Sequence, residues 1–424
     1  HEADKLLAQV DNQKFPNALL FRSYVHIWQW DWEGAVPHLE KYIKLLEVDQ
    51  PMRFWGIVNL AQSLMHGCGD LARAQILLTE VVSKTSFNQY RLLHKSGLFG
   101  LAQIHILEKE WKRAEVALKY LEERVIKDND PIFDLLLAQW KCLCDLYRAL
   151  ETGEDRDQAL AQLRKVRARF KATRRWENVR SCDYYEATCF KNEKLLIQLY
   201  FGTTYPTFRK RILTVLGGVE KLPTQYQWSF FRPTLANSPI VNLHNGQSNL
   251  ESSWLKEGQI PQRLLLALGQ DFYKPMRVSE LHELLYPKEY YHPTSSPDRI
   301  HQSLRRLRHW FQKNHISLEI KEDSGFYSLT SSHGWTICLT RDTPAHALSY
   351  KMQQHLRQLQ DHFKTRLIVT AEGAQILGVS HRSTIRILNQ MCVHGPLERI
   401  GKGPRTCYRI NYKGPNLIND DENP

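Results

Sequence analysis

Two groups of side chains in this sequence have the chemistry to read bases and phosphates. In the stretch Asp298 to Lys313, helical spacing puts Ile300, Leu304, Leu307 and Phe311 on one face and leaves Arg299, Gln302, Ser303, Arg306, His309 and Lys313 on the other. Arginine can donate two hydrogen bonds to guanine, glutamine can pair with adenine, and lysine or arginine can neutralise phosphate. Nearer the C-terminus, with Ile385, Leu388 and Cys392 turned inward, a second helix offers His381, Arg382, Ser383, Arg386, Asn389 and Gln390. Arg399, Lys402 and Arg405 follow on a basic hairpin. Charge on a helix is usually a solvated face. Here it is concentrated, because Asp298 to Tyr412 holds 17 Lys and Arg against 8 Asp and Glu, a surplus of nine out of a net +12.

The elements that must position the first group begin with short strands in Ile240 to Leu250, around an Asn245-Gly246 turn. A helix from Ile260 to Leu268 follows, then a short helix capped by Ser279 and ending near Leu285. Asp298 is expected to cap the long helix, and a hairpin closes the segment around Asp323-Ser324-Gly325. This order, with Leu304-Arg305-Arg306-Leu307-Arg308 and Gly325-Phe326-Tyr327 ending at Leu329, resembles the winged-helix effector domain of OmpR/PhoB-type response regulators. The resemblance implies that the long helix enters a DNA major groove, and that the loop Tyr286 to Pro297 can touch RNA polymerase.

The second group has a tighter frame. Thr370 is the expected cap of a short helix with Glu372 in its first turn, Gly378-Val379 makes the bend, and Ser380 caps a helix through Cys392. Leu397 to Ile400 and Arg405 to Ile410 then read as two strands about a basic turn. The stretch resembles the winged helices of DeoR-like regulators, departing at Pro396, where that family commonly has Leu or Ile.

The N-terminal half shows a repeat. Leu60-Ala61-Gln62, Leu101-Ala102-Gln103 and Leu137-Ala138-Gln139 each sit in an apolar helix. Further helices open at Trp32, Asp70, Trp111 and Asp155, with Ala35, Ala74, Ala114 and Ala159 shortly after. Small residues there let paired helices approach, and each pair buries its face on its neighbours. The pattern resembles a tetratricopeptide-repeat (TPR) array with a longer period. That implies a concave surface for a peptide or protein partner, or for homodimerisation. A basic run, Arg164 to Arg180, is weighed as a DNA-facing surface against a solvated one.

The expected fold is mainly α: an N-terminal TPR-like α-solenoid followed by two winged-helix (α+β) domains. Its parts are 1–212, a linker 213–239, the first winged helix 240–332, a linker helix and second winged helix 333–412, and an acidic tail 413–424. The eight cysteines contain no CxxC pair, the 18 histidines are dispersed, and neither a GxxxxGK[ST] loop nor HExxH occurs. No catalytic residue, metal or cofactor is therefore expected, nor a membrane span. The expected function is a DNA-binding transcription regulator in a bacterial cytoplasm, associated with the nucleoid, with double-stranded DNA as partner. The rival is a helical-repeat plus winged-helix scaffold subunit of a multiprotein complex.

Overall fold

In a computed structural model of the chain, the described residues are 2–153, 155–230, 239–243, 246–248, 255–256, 258–287, 289–331, 334–341, 350–364, 366–393, 397–401, 403 and 406–410. Among them the protein is mainly helical, with eighteen α-helices and nine short strands. The chain divides into two compact units, one of 1–223 with 270–276 and 326–328, the other of 224–269, 277–325 and 329–424.

The first unit is a series of helix pairs behind a short leading helix, α1 (Glu2–Ala8). The pairs are α2 (Asn17–Ile27) with α3 (Trp32–Lys44), α4 (Pro51–Ser63) with α5 (Leu71–Lys84), and α6 (Arg91–Leu107) with α7 (Trp111–Asp128). They continue as α8 (Pro131–Thr152) with α9 (Arg156–Ala172) and α10 (Trp176–Cys189) with α11 (Glu193–Phe201), and α12 (Pro206–Leu216) ends the series. The turns inside the pairs repeat one device, a left-handed residue followed by a polar cap. Trp30, Gly69, Lys109 and Lys191 have φ of 62°, 70°, 62° and 48°. Of the residues after them, Asp31, Asp70 and Asn192 each accept a backbone N–H at 3.1 Å, from Gly34, Arg73 and Leu195. The fifth pair carries Leu196 where the others carry alanine, so the alanine spacing marks only four.

Ala35, Ala74 and Ala114 are fully buried, and Ala159 nearly so. The Leu-Ala-Gln glutamines tie adjacent pairs together: Gln62 Nε2 donates to Gln103 Oε1 at 2.9 Å, and Gln139 Nε2 to Ser181 Oγ at 3.1 Å. A chain of rings then crosses the unit. Trp32 meets His66 at 5.3 Å between centroids, His66 meets Trp140 at 6.0 Å, and Trp140 meets Tyr185 at 5.7 Å. Tyr184 meets Phe208 at 5.4 Å, and Phe208 meets Trp30 at 4.5 Å. A π-helical turn, Leu64–Cys68, carries His66 into this chain. Trp30 Nε1 also donates to Glu177 Oε2 at 2.7 Å, and the Tyr205 hydroxyl to Glu177 Oε1 at 2.9 Å. The turn of the first pair thus meets the last helices.

Part of the basic run is tied into ion pairs, while Lys165, Lys171 and Arg175 are exposed. Arg164 pairs with Glu186 at 2.6 Å, Arg169 with Asp134 at 2.9 Å, and Arg167 with Asp183. Arg180 is fully buried, donates to both oxygens of Asp271 at 2.7 and 2.6 Å, and lies 4.5 Å over the Tyr205 ring. The Tyr273 hydroxyl donates to Asp183 at 2.8 Å, and burial holds its proton far above the usual phenol range. These charges face one another between helices because a buried guanidinium needs a carboxylate partner.

The remaining elements run in chain order as β1 (Gln225–Ser229), β2 (Ile240–Asn242), α13 (Ile260–Leu268), β3 (Met276–Arg277), α14 (Val278–Leu285), α15 (Ser296–Lys313), β4 (Leu318–Asp323) and β5 (Phe326–Ser331). Then come β6 (Thr336–Thr340), α16 (Tyr350–Phe363), β7 (Ile368–Val369), α17 (Thr370–Leu377), α18 (His381–Val393), β8 (Leu397–Ile400) and β9 (Cys407–Ile410). They build three sheets, ordered β1-β6-β2, β3-β5-β4 and β7-β9-β8. In the first, β6 is central and fully buried Ile337 faces Trp228 on β1 and Val241 on β2. Residues 213–239, expected as a linker, therefore hold the end of α12 and a paired strand, and Thr336–Thr340, within the stretch expected as linker helix and second winged helix, is the middle of a sheet. Of the expected Asn245-Gly246 turn, Asn245 lies outside the described residues, as does the tail after 410.

The other two sheets follow one plan: a two-residue strand, two helices, then a hairpin whose second strand is central. β3-α14-α15-β4-β5 matches β7-α17-α18-β8-β9 step for step. Three expected caps lie inside their helices. Ser279 sits in the first turn of α14, where the Glu280 carboxylate accepts the Arg277 N–H at 2.8 Å instead. α15 starts two residues before Asp298, since Pro297 needs no hydrogen-bond partner in a first turn. Thr370 is the first residue of α17, after Val369.

Candidate nucleic-acid interface

The inner face of α15 is as the spacing requires, with Ile300, Leu304, Leu307 and Phe311 at 0–2% exposure. On the outer face Gln302, Arg306, His309 and Lys313 are exposed, and Arg305, which the sequence reading left out, joins them. These five follow steps of three and four and make one stripe along the helix. Arg305 was legible three positions after Gln302. Neither Arg305 nor Arg306 has an ion-pair partner among the described residues.

Two expected members fall away. Ser303 is 3% exposed and its hydroxyl donates to the Arg299 carbonyl at 2.8 Å, because it lies between the Ile300 and Leu307 turns of the apolar stripe. Arg299 is exposed but already engaged, bound to Glu289 and stacked 3.9 Å over the Tyr286 ring. Its hydrogen bond holds the Glu289 carboxyl below the usual range. The hairpin beyond is not basic, since Glu319, Lys321, Glu322 and Asp323 are all exposed on it. Gly325 completes its turn at φ 80°, its N–H donating to Glu322 at 2.8 Å.

On α18 the inward face is one residue off the expected one. Thr384, Ile387, Leu388 and Met391 are at 0–9% exposure, whereas Ile385 is 37% exposed. The steps 384, 387, 388, 391 and 385, 388, 392 are equally helical. Thr384 decides between them by donating its hydroxyl to the Ser380 carbonyl at 3.1 Å, which lets a polar residue face inward. Ser380 caps as expected, accepting the Ser383 N–H at 3.3 Å, and this leaves Ser383 half-buried in the cap. Asn389 is half-buried and accepts from the Tyr408 hydroxyl at 3.1 Å. His381, Arg382, Arg386 and Gln390 remain exposed, joined by Ile385.

The second hairpin presents Arg399 to solvent, while Arg409 faces Glu398 across the strands at 3.7 Å. Lys402 and Arg405 lie outside the described residues. Behind the hairpin, burial pushes the Cys392 thiol and the Tyr408 phenol up, as for groups packed in a core. The loop before α15 is ordered by Ser296, whose hydroxyl accepts the His292 N–H at 2.9 Å, and Tyr290 stands 86% exposed on it.

Each stripe offers guanidinium and amide donors at base-reading spacing, and α18 adds an apolar side chain able to touch a thymine methyl. Among the described residues no helix is long and apolar enough to cross a membrane. The chain matches no protein-family model and no curated protein.

Proposed function

We propose that the protein is a DNA-binding transcription regulator of the bacterial nucleoid, in which two winged-helix modules hold duplex DNA and a TPR-like array receives a protein partner or a second copy. The observation that carries the reading is the repeated plan of β3-α14-α15-β4-β5 and β7-α17-α18-β8-β9, with an exposed cationic stripe on the second helix of each. In this reading Gln302, Arg305, Arg306, His309 and Lys313 lie along one major groove, and Arg382, Ile385, Arg386 and Gln390 along another, with Arg399 on a phosphate. The acidic first hairpin makes the modules unequal, and the second takes the larger share of backbone contacts. Exposed Tyr290 is the candidate contact to RNA polymerase. Phe15, Phe21 and Trp28, each more than half exposed, are the array's candidate partner surface. The reading assigns no catalysis.

Fluorescence-anisotropy titration of the full chain with labelled genomic duplexes at several salt concentrations tests it. The binding constant should fall linearly on logarithmic axes as salt rises. Salt-independent binding, or none at low salt, would favour the scaffold alternative.

A further inference from the structure

We infer that Asp4, His26 and His38 form a site for a divalent transition-metal ion of the zinc class, a proposal independent of the DNA reading. A donor atom from each lies within 4.8 Å of the other two, and the three come from three helices, α1, α2 and α3. Two imidazoles and one carboxylate with an open fourth position is a donor set suited to Zn2+.

The neighbours prepare the donors. His26 Nδ1 lies 2.7 Å from Asp31 Oδ2, a contact that fixes the orientation of the imidazole ring. Arg22 Nε donates to one oxygen of Asp4 at 2.7 Å, fixing the carboxylate while the other oxygen stays available.

A structural role for the histidine–acid pair is visible elsewhere, because His105 Nδ1 meets Glu110 at 2.7 Å in the equivalent turn of the third pair. That role does not account for His38. Counting from the tryptophans that open the helices, Trp32 and Trp111, the equivalent position holds Ala117. Nor does it account for Asp4, which lies ahead of the first pair. The other candidate cluster, His105, Glu108 and Glu110, comes from a single turn, whereas Asp4, His26 and His38 come from three helices.

The test is titration of the metal-free chain with Co2+, read by visible absorption, with competition by Zn2+. One saturable equivalent with a four- or five-coordinate spectrum, displaced by Zn2+, is expected. His38→Ala and Asp4→Asn should each weaken binding at least tenfold with the circular dichroism unchanged. Asp31→Asn, which retains a good helix cap, should weaken it roughly 10- to 100-fold through His26. His105→Ala should leave affinity as it was. No saturable spectrum, unaltered affinity in His38→Ala, or loss of binding in His105→Ala would each overturn the proposal.

Discussion

Trp30 packs against Phe208 with ring centroids 4.5 Å apart, which brings the turn inside the first helix pair onto the last helix of the series. Trp30→Ala removes this contact, the edge contact with Tyr184 and the donor to Glu177. The expected loss is about 2–4 kcal/mol, near the low end for large aromatic truncations because the ring is half-buried. Trp30→Phe retains a ring and loses the hydrogen bond, about 1 kcal/mol. Urea unfolding of both variants should rank them in that order.

His66 provides a pH signature. Burial, aided by Arg211, lowers its pKa to about 4 from an ordinary value near 6.5. The unfolded chain then binds more protons than the folded one between those values, so stability is full above pH 6.5 and declines as pH falls toward 4. The decline attributable to this residue is about 1–3 kcal/mol. His66→Gln should lose that component of the pH dependence in unfolding curves taken from pH 7 to 4.5, and an unchanged slope would refute the assignment.

The face of α18 is checked by two truncations. Ile385→Ala should alter stability by less than about 1 kcal/mol, while Leu388→Ala should cost about 2–5 kcal/mol. If DNA lies along the exposed stripe, Ile385→Ala nonetheless weakens binding to sites carrying thymine at the contacted step. A stability loss equal to that of Leu388→Ala would restore the original inward assignment.

On DNA, Arg306→Ala and Arg386→Ala should each weaken specific binding by about 1–3 kcal/mol, with relaxed preference at one base pair. Arg299→Ala should do much less, since its guanidinium is held by Glu289 and Tyr286. Footprints and anisotropy curves identical to wild type for both Arg306→Ala and Arg386→Ala would remove the proposed base contacts.

Arg180 supplies a test of the buried charge network. Arg180→Met leaves Asp271 without its bidentate partner and should destabilise by about 3–5 kcal/mol. Arg180→Met with Asp271→Asn should recover part of that loss. A double variant as unstable as the single one would show that the packing of the guanidinium against Tyr205 matters more than the ion pair.

Local periodicity made much of this readable in advance. The buried stripe of α15 and the alanines of the first four pairs follow from helical spacing, and the Ser380 cap from side-chain chemistry. Ser303 was expected to face out and Ile385 to face in, because polarity alone does not reveal that a hydroxyl bonded to the preceding turn, as in Ser303 and Thr384, can face a core. The fifth pair was hidden because Leu196 stands where alanine marks the others. Contacts between distant segments were beyond reach: no spacing rule joins Trp30 to Glu177, or Arg180 to Asp271, or Asp4 to His38.

A stack of helical repeats ordinarily frays from its ends, since each terminal repeat has a neighbour on one side only. In this array the contact of Trp30 with Tyr184, Phe208 and Glu177 gives each end a neighbour in the other. Partial melting from either terminus must first break that seal, so the repeats should resist stepwise loss and give way together. The seal also closes a loop of well over a hundred residues, which makes it a late event in folding.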